Sequence, residues 1–202
     1  MGLVKFILES LLENNIEDLS YFISEEKIKD LNNYIDNIEK TPKITFEEAL
    51  NFLFKKTKED RFLKFTQEGN FGSWEEILLT EIIGGHVIVS DFPILEVPFY
   101  HDIKKDSTPQ VAINADFIWS GYREYLGSGQ RIGEVKDLEY KANIFNLPKD
   151  DYKPYLDSRE LKNYSKTSGF GLGWERFLQG LLEMPFIWSI AHFPRGDQEL
   201  IP

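Results

Sequence analysis

Three glycines at alternate positions, Gly169, Gly171 and Gly173, stand directly before an apolar segment that carries Arg176. Glycine lets a backbone approach a ligand closely, and the start of a helix presents free N–H groups and a partial positive charge. An arginine in the first helical turn adds a planar guanidinium that suits phosphate oxygens. The segment from Ser168 to Arg176 therefore predicts a phosphate-binding turn, and a purely structural strand-to-helix turn is the alternative.

Two further segments accompany this turn, Gly121 to Arg131 upstream and His192 to Arg195 near the end of the sequence. In this order, the three segments resemble the C-terminal half of the catalytic domain of class II aminoacyl-tRNA synthetases of the aspartate/asparagine/lysine group. The asparaginyl type is the most similar. The resemblance runs from about Leu3 to Pro202, and it makes the glycine-rich segment motif 3, which binds ATP in that family.

The resemblance implies a site for ATP and Mg²⁺. Glu124 matches the acidic residue that holds Mg²⁺ and ATP, and a carboxylate suits a hard cation that bridges phosphates. The motif 3 residues implied to bind ATP are Gly171, Gly173, Trp174, Glu175 and Arg176. Arg176 and Glu124 are the residues expected to act in catalysis. Without the resemblance, Glu124 is equally compatible with an exposed strand carboxylate, and Arg176 with a solvated or ion-paired side chain.

The resemblance also implies an amino-acid pocket. Arg131 matches the arginine that reads the substrate side chain, where its guanidinium binds an aspartate carboxylate through two hydrogen bonds or donates to an asparagine carbonyl. Gly127 matches a position that is glycine in asparaginyl enzymes and serine in aspartyl ones. The residues from Ile132 to Glu134 depart from the asparaginyl pattern toward the aspartyl one. Both aspartate and asparagine therefore remain open as the substrate.

Three further residues match family positions around this pocket. Glu76 aligns with an acidic residue found before a helix, although a capping box with Ser73 explains it without a ligand and is the preferred interpretation. Asp91 and Tyr100 match positions near the substrate, with a turn and the core, respectively, as the alternatives.

The histidines and two other arginines carry weaker predictions. His86, His101 and His192 follow no metal-ligand spacing and have no cysteine or serine partners, so we expect structural roles. Arg159 and Arg195 are candidates for contact with a substrate or partner, and a solvated arginine is the more common outcome.

Composition is that of a globular protein, with 202 residues, 42% apolar and 28% charged. No apolar run approaches the ~20 residues needed to span a bilayer, the N-terminal residues lack a signal-peptide pattern, and we expect a cytoplasmic protein without membrane contact. The net charge of -11 argues against a protein whose main function is nucleic-acid binding, but it does not exclude tRNA as a substrate.

Hydrophobic periodicity predicts a single α+β domain over residues 1–202, with an antiparallel sheet flanked by helices. Helices are predicted over residues 3–15 and 28–38 and between Glu134 and Tyr164. Two more are predicted to follow capping boxes, one formed by Thr45 with Glu48 and one by Ser73 with Glu76. Strands are predicted at His86–Ser90, Leu95–Tyr100, Val111–Trp119 and Thr167–Gly173.

Motifs 1 and 2, which build the family's dimer and grip the α-phosphate, are not recognised in the sequence. We therefore expect the chain to begin midway through the catalytic domain, to form a homodimer or need a partner chain that supplies those motifs, and to be inactive or incomplete alone. Three functions stay open: activation of asparagine or aspartate by ATP for transfer to tRNA, tRNA-independent amidation of aspartate with ammonia, and a non-catalytic synthetase paralogue.

Overall fold

A computed structural model describes residues 1–65, 71–191 and 193. Its α-helices are α1 (Gly2–Asn14), α2 (Ile16–Leu19), α3 (Glu25–Asn37), α4 (Phe46–Thr57), α5 (Ser73–Ile83), α6 (Val135–Ile144), α7 (Lys149–Asp157) and α8 (Trp174–Leu181). Its strands are β1 (Lys43–Thr45), β2 (Val87–Ser90), β3 (Asn114–Ile118), β4 (Glu124–Gln130) and β5 (Ser168–Leu172). No helix within these ranges is long and apolar enough to cross a membrane.

The chain forms two compact units, and the first combines residues 1–42 with the chain from Trp174 onward. Helices α1 and α3 bury apolar residues one turn apart, Val4 with Leu8 and Leu31 with Ile35, as the periodicity predicts. Ser24 caps α3 by accepting a hydrogen bond of 3.2 Å from the Lys27 N–H.

The second unit, residues 43–173, contains the whole sheet in the order β1-β2-β3-β4-β5. Strands β2 to β5 pair antiparallel, whereas β1 pairs with β2 in parallel. The predicted α+β class is confirmed, and the predicted antiparallel sheet needs a correction at this edge. The physical reason is the connection between β1 and β2, which contains α4 and α5 and is long enough for the crossover that parallel neighbours require.

Two predicted helix starts have different outcomes. The capping box before α4 is confirmed, because Thr45 Oγ1 accepts from the Glu48 N–H at 3.2 Å and Glu48 Oε2 accepts from the Thr45 N–H at 2.7 Å. The capping box before α5 was predicted one residue too late. The helix begins at Ser73, and it is the carboxylate of Glu75 that accepts from the Gly72 N–H at 2.8 Å.

The predicted strand at Leu95–Tyr100 is wrong. This segment makes turns, closed by the Glu96 N–H to the Pro93 carbonyl at 3.1 Å and the His101 N–H to the Pro98 carbonyl at 3.0 Å. Pro98 has no N–H to give to a ladder, which favours the turn. Strands β2, β3 and β5 and helices α6 and α7 lie inside the segments predicted for them.

Candidate functional site

One face of the sheet is lined largely by glycine. Two cross-strand rows occupy this face, and in register they are Asn114, Gly129 and Gly169, then Asp116, Gly127 and Gly171. Residues opposite each other on neighbouring strands, and every second residue along a strand, point to the same side of a sheet. We call this side the glycine face.

Larger side chains fill the space above three of these glycines. A Cβ at Gly127, Gly129 or Gly169 would lie 2.6 Å from Glu124 Oε1, 2.8 Å from His101 Nε2 and 2.9 Å from Arg131 Nη2, respectively. Such separations are shorter than van der Waals contact, so glycine is what allows these three side chains to lie flat on the sheet. Above Gly171, by contrast, a Cβ would meet no heavy atom within 4 Å in the described structure.

A β-bulge places Glu124 on the glycine face. Phe117 pairs with Leu126 and Ile118 pairs with Glu124, which leaves Tyr125 as an extra residue in β4. Without this extra residue Glu124 and Gly127 would alternate to opposite sides; with it, both point to the same side. Strict alternation along the sequence therefore could not have predicted the direction of the Glu124 side chain.

Three carboxylates, which we call the acidic group, gather at this end of the site: Glu76, Asp116 and Glu124. Glu76 Oε2 accepts a hydrogen bond of 3.1 Å from the Glu124 N–H, and Asp116 Oδ1 lies 3.5 Å from the position a Cβ on Gly127 would take. The preferred interpretation of Glu76 as a helix cap is wrong, since Glu75 has that role. Sequence reasoning missed Asp116, although Asn114 and Asp116 stand two apart in an otherwise apolar strand.

The other row holds three nitrogen-bearing side chains, His101, Asn114 and Arg131, which we call the polar row. Each has a buried nitrogen without a hydrogen-bond partner among the described residues, namely His101 Nδ1, Asn114 Nδ2 and Arg131 Nη1. The Asn114 Oδ1 atom is already used, because it accepts from the Phe92 N–H at 3.1 Å. Native proteins leave few buried polar atoms unpaired, so three in one row point to a place where a ligand binds.

Arg131 is held in the polar row by packing more than by hydrogen bonds of its side chain. Its guanidinium carbon lies 4.3 Å from the centre of the Tyr100 ring, and its backbone N–H donates to the Thr167 carbonyl at 2.8 Å. Tyr100 therefore contacts the predicted pocket arginine while also packing against a hydrophobic cluster around Phe99.

A buried lysine, Lys141, holds the backbone of His101 through a hydrogen bond. Lys141 has 0% exposure, and its Nζ donates to the His101 carbonyl at 3.1 Å. Burial lowers the pKa of Lys141 to about 8, and the charge of Asp102 partly opposes this. Burial, with added repulsion from Arg131 and Lys141, lowers the pKa of His101 to about 4. His101 is thus a neutral imidazole at pH 7, in a pocket that sequence reasoning did not assign to it.

The remaining predicted residues lie elsewhere. Helix α8 begins at Trp174, so Glu175 and Arg176 occupy its first turn, as predicted, within the first compact unit. Gly173 ends the second unit, where its N–H donates to the Tyr125 carbonyl at 2.9 Å. His192 and Arg195 lie outside the described residues.

Three other sequence candidates have structural contacts. Asp91 adopts a left-handed conformation with φ of 60° and pairs with Lys104 at 2.7 Å. His86 Nδ1 accepts from the Ser120 N–H at 3.0 Å, so its predicted structural role is confirmed. Arg159 stacks 3.9 Å from the Tyr155 ring and donates to the Ile132 carbonyl at 3.2 Å.

A cavity of about 450 Å³ lies against the same three strands, β3 to β5. The residues that alternate with the glycines supply most of its lining: Ile113, Ala115, Ser128, Gln130, Ser168 and Phe170. By strand alternation it opens on the side opposite the glycine face. It carries none of the carboxylates or cationic side chains described above, so we place the candidate site on the glycine face.

The family model described as tRNA synthetases class II (D, K and N) matches residues 3–197. The chain therefore belongs to this family of class II aminoacyl-tRNA synthetases.

Individual relatives point within the family to the asparaginyl type. The chain is 33% identical over 202 residues to an asparagine–tRNA ligase of Clostridium botulinum and 31% identical over 201 residues to that of Clostridium tetani. Each match covers 96% of this chain and 41% of the relative, so the chain spans about two fifths of their length. The crystal structure of asparaginyl-tRNA synthetase from Pyrococcus horikoshii complexed with asparaginyl-adenylate is similar with a TM-score of 0.82 at 27% identity, over 99% of this chain and 44% of that one.

Proposed function

We propose that this chain supplies the amino-acid pocket and part of the ATP site of an asparaginyl-tRNA synthetase-type enzyme, which activates asparagine with ATP for transfer to tRNA. The observation that carries the proposal is the glycine face, where the unpaired Arg131 Nη1 lies in the row next to that of Asp116 and Gly127. An amino acid with a polar side chain has the complementary layout, with an ammonium group at one end and a side-chain oxygen at the other. The relatives named as asparagine–tRNA ligases support the same assignment.

In this proposal, the polar row takes the side chain of the amino acid. Arg131 donates to the side-chain oxygen from a guanidinium whose plane is fixed against Tyr100. Glu76, in the acidic group, faces the substrate ammonium. Gly127 leaves the space that the Glu124 carboxylate occupies, since a Cβ there would lie 2.6 Å from Glu124 Oε1.

Glu124 is the residue proposed to hold Mg²⁺. No cluster of three or more metal-binding side chains exists among the described residues, but Mg²⁺ commonly takes one or two carboxylates and completes its shell with phosphates and water. Glu124 and Asp116, both beside Gly127, fit that requirement. When bound, Mg²⁺ neutralises charge on the phosphates of ATP.

The activation step joins two anions, and the protein groups act mainly by positioning them. A carboxylate oxygen of the amino acid attacks the α-phosphorus of ATP, the bond to the β-phosphate oxygen breaks, and pyrophosphate leaves with that electron pair. Anchoring the side chain at Arg131 and the ammonium at Glu76 fixes the direction of the attacking carboxylate. Arg176 is proposed to bind phosphate oxygens, on the basis of its motif 3 position and its place in the first turn of α8.

The proposal is tested by substitution of Arg131 with lysine, which keeps the charge and loses the planar fork. We expect Arg131→Lys to weaken asparagine binding by about 1.5 to 3 kcal/mol, the range for hydrogen bonds to charged groups, as measured by calorimetry. Arg159→Lys is the matched control, because Arg159 also stacks on a tyrosine but donates to protein oxygens. Equal affinity in all three folded proteins, or no binding of asparagine or aspartate by the parent, would refute the proposed pocket.

Amidation of aspartate with ammonia is the second candidate, favoured by the sequence after Arg131, where Ile132 and Gly133 depart from the asparaginyl pattern. Formation of asparagine from aspartate, ATP and ammonia without tRNA, followed by amino-acid analysis, distinguishes it from the first.

A further inference from the structure

We infer that His101 is a specificity-determining residue of the amino-acid pocket, whose imidazole accepts a hydrogen bond from the side-chain amide of asparagine and so favours asparagine over aspartate. The inference rests on the proposed function and adds a residue and a selectivity to it.

The position of His101 is unusual for a structural histidine. Its ring lies on Gly129 so closely that a Cβ there would be 2.8 to 3.0 Å from Nε2, Cε1 and Cδ2. The residue is 9% exposed, and its Nδ1 atom is buried without a hydrogen-bond partner among the described residues. His86, in comparison, uses its Nδ1 to accept from the Ser120 N–H at 3.0 Å. An unpaired buried nitrogen costs stability unless a ligand pairs with it.

The members of the polar row differ in whether their unpaired nitrogen can donate or accept a hydrogen bond. His101 lies beside Arg131, since the two form an antiparallel bridge. A guanidinium donates and never accepts, and the unpaired Asn114 nitrogen is also a donor. The neutral imidazole is therefore the member of the row whose unpaired nitrogen can accept a hydrogen bond from a ligand.

His101 keeps that acceptor at neutral pH. The charged groups that face it are the Arg131 guanidinium beside it and the Lys141 ammonium below its carbonyl, and both oppose protonation of the ring. Its neighbour Asp102 is engaged elsewhere, by Lys166 and by Gln130 Nε2 at 2.8 Å. No carboxylate among the causes of its lowered pKa favours the imidazolium form.

A carboxamide matches this row and a carboxylate does not. The amide oxygen of asparagine accepts from Arg131 and Asn114, while its NH₂ group donates to the imidazole nitrogen. Aspartate offers two acceptor oxygens and no proton, so the imidazole must shift its proton to the other ring nitrogen or remain unpaired. A site built on a specific hydrogen bond discriminates against the analogue that lacks it.

The experiment compares asparagine and aspartate by competition calorimetry on the full chain. In His101→Leu, which removes both nitrogens, we expect the ratio of asparagine to aspartate affinity to fall about tenfold. His101→Asn places a polar atom near the position of Nδ1 and should recover part of the ratio, whereas His101→Gln reaches toward Nε2 and should not. His86→Leu is the control histidine and should leave the ratio unchanged.

The possible results distinguish a failure of the His101 role from a failure of the proposed amino-acid pocket. An unchanged ratio in His101→Leu, with normal binding by the parent, would overturn the role of His101 and leave the proposed pocket in place. If the parent binds neither amino acid, the proposed function fails and the inference fails with it. If the leucine variant does not fold, the same ratio measured for His101→Asn and His101→Gln decides, and equal ratios would overturn the inference.

Discussion

At the scale of single residues, the glycines of the sheet have two different tasks. Gly127, Gly129 and Gly169 leave space that a protein side chain fills, whereas Gly171 leaves space that no described atom fills. The first kind is required by the fold of the site, and the second is available to a ligand. Substitutions at the two kinds of position should therefore separate stability from binding.

We predict that Gly129→Ala lowers stability by about 1 to 3 kcal/mol, because its methyl group would overlap the His101 ring and force a shift. Gly171→Ala should leave stability nearly unchanged and weaken ATP binding, since its methyl group would extend into open space where the nucleotide is proposed to lie. Urea denaturation and nucleotide calorimetry on both variants measure the two effects. Equal loss of stability in both, with normal ATP affinity in Gly171→Ala, would contradict this distinction.

The lowered pKa of His101 predicts a pH dependence of stability. The unfolded chain binds a proton at this histidine below its ordinary pKa of 6.5, whereas the folded protein does so only below about 4. Unfolding therefore takes up a proton between these values, and stability falls as the pH drops through this window, by up to about 3 kcal/mol for this group.

The change is measured as the difference in unfolding free energy between the parent and His101→Asn at pH 7 and at pH 4.5, so that effects of the carboxylates cancel. The parent should lose more stability than the variant on acidification. Parallel losses in the two proteins would show that His101 is not held neutral by its surroundings.

At the scale of elements, helix α5 shows how a shift of one residue changes the assignment of a side chain. Glu75 closes the start of the helix at Gly72 and pairs with Arg61 at 2.7 Å, while Glu76 turns to the Glu124 N–H in the acidic group. The two adjacent glutamates have the same chemistry and different surroundings.

Substitution of each glutamate with glutamine should therefore give opposite results. Glu75→Gln should cost about 0.5 to 2 kcal/mol of stability through the cap and the ion pair, with amino-acid affinity retained. Glu76→Gln should retain most of the stability and weaken asparagine binding. Thermal unfolding measures the stability of the two variants, and calorimetry measures their affinity for asparagine. A larger loss of affinity in Glu75→Gln than in Glu76→Gln would contradict the placement of Glu76, rather than Glu75, in the amino-acid site.

Local sequence predicts those elements whose signals are local. The apolar periodicity of α1 and α3, the capping box at Thr45 and the glycine turn before α8 are all present where expected. The strand at Leu95–Tyr100 fails because aromatic residues with high strand propensity lie in turns that pack them into a cluster. Tertiary packing overrides local propensity here.

The site itself was predicted only in part. Arg131, Gly127 and Glu124, to which the resemblance assigns roles in the amino-acid and ATP sites, lie together on the glycine face. His101 and Asp116 were not assigned to it, because their positions depend on the strand register and on the turn after Pro98, which local patterns do not fix.

At the scale of the whole molecule, the sheet ends at β5. No strand in the described part of the chain pairs with the outer side of β5, and Phe170 on it is 60% exposed. An open strand edge beside exposed apolar surface favours association with another strand. The chain matches about two fifths of each of the two Clostridium relatives.

The last prediction concerns activity of the 202-residue chain by itself. We expect little ATP–pyrophosphate exchange with asparagine or aspartate. The acidic group and the polar row are proposed to position the amino acid, but none of the residues placed on the glycine face is assigned to the α-phosphate. Loss of one preorganised donor to a developing charge typically costs on the order of 10²–10³ in rate. Addition of a polypeptide that corresponds to the rest of the catalytic domain of the Clostridium botulinum relative should raise exchange at least that much, and the same mixture with Arg131→Lys serves as the control. Strong exchange by the chain alone would mean that residues already present, including Arg176, stabilise the α-phosphate without help.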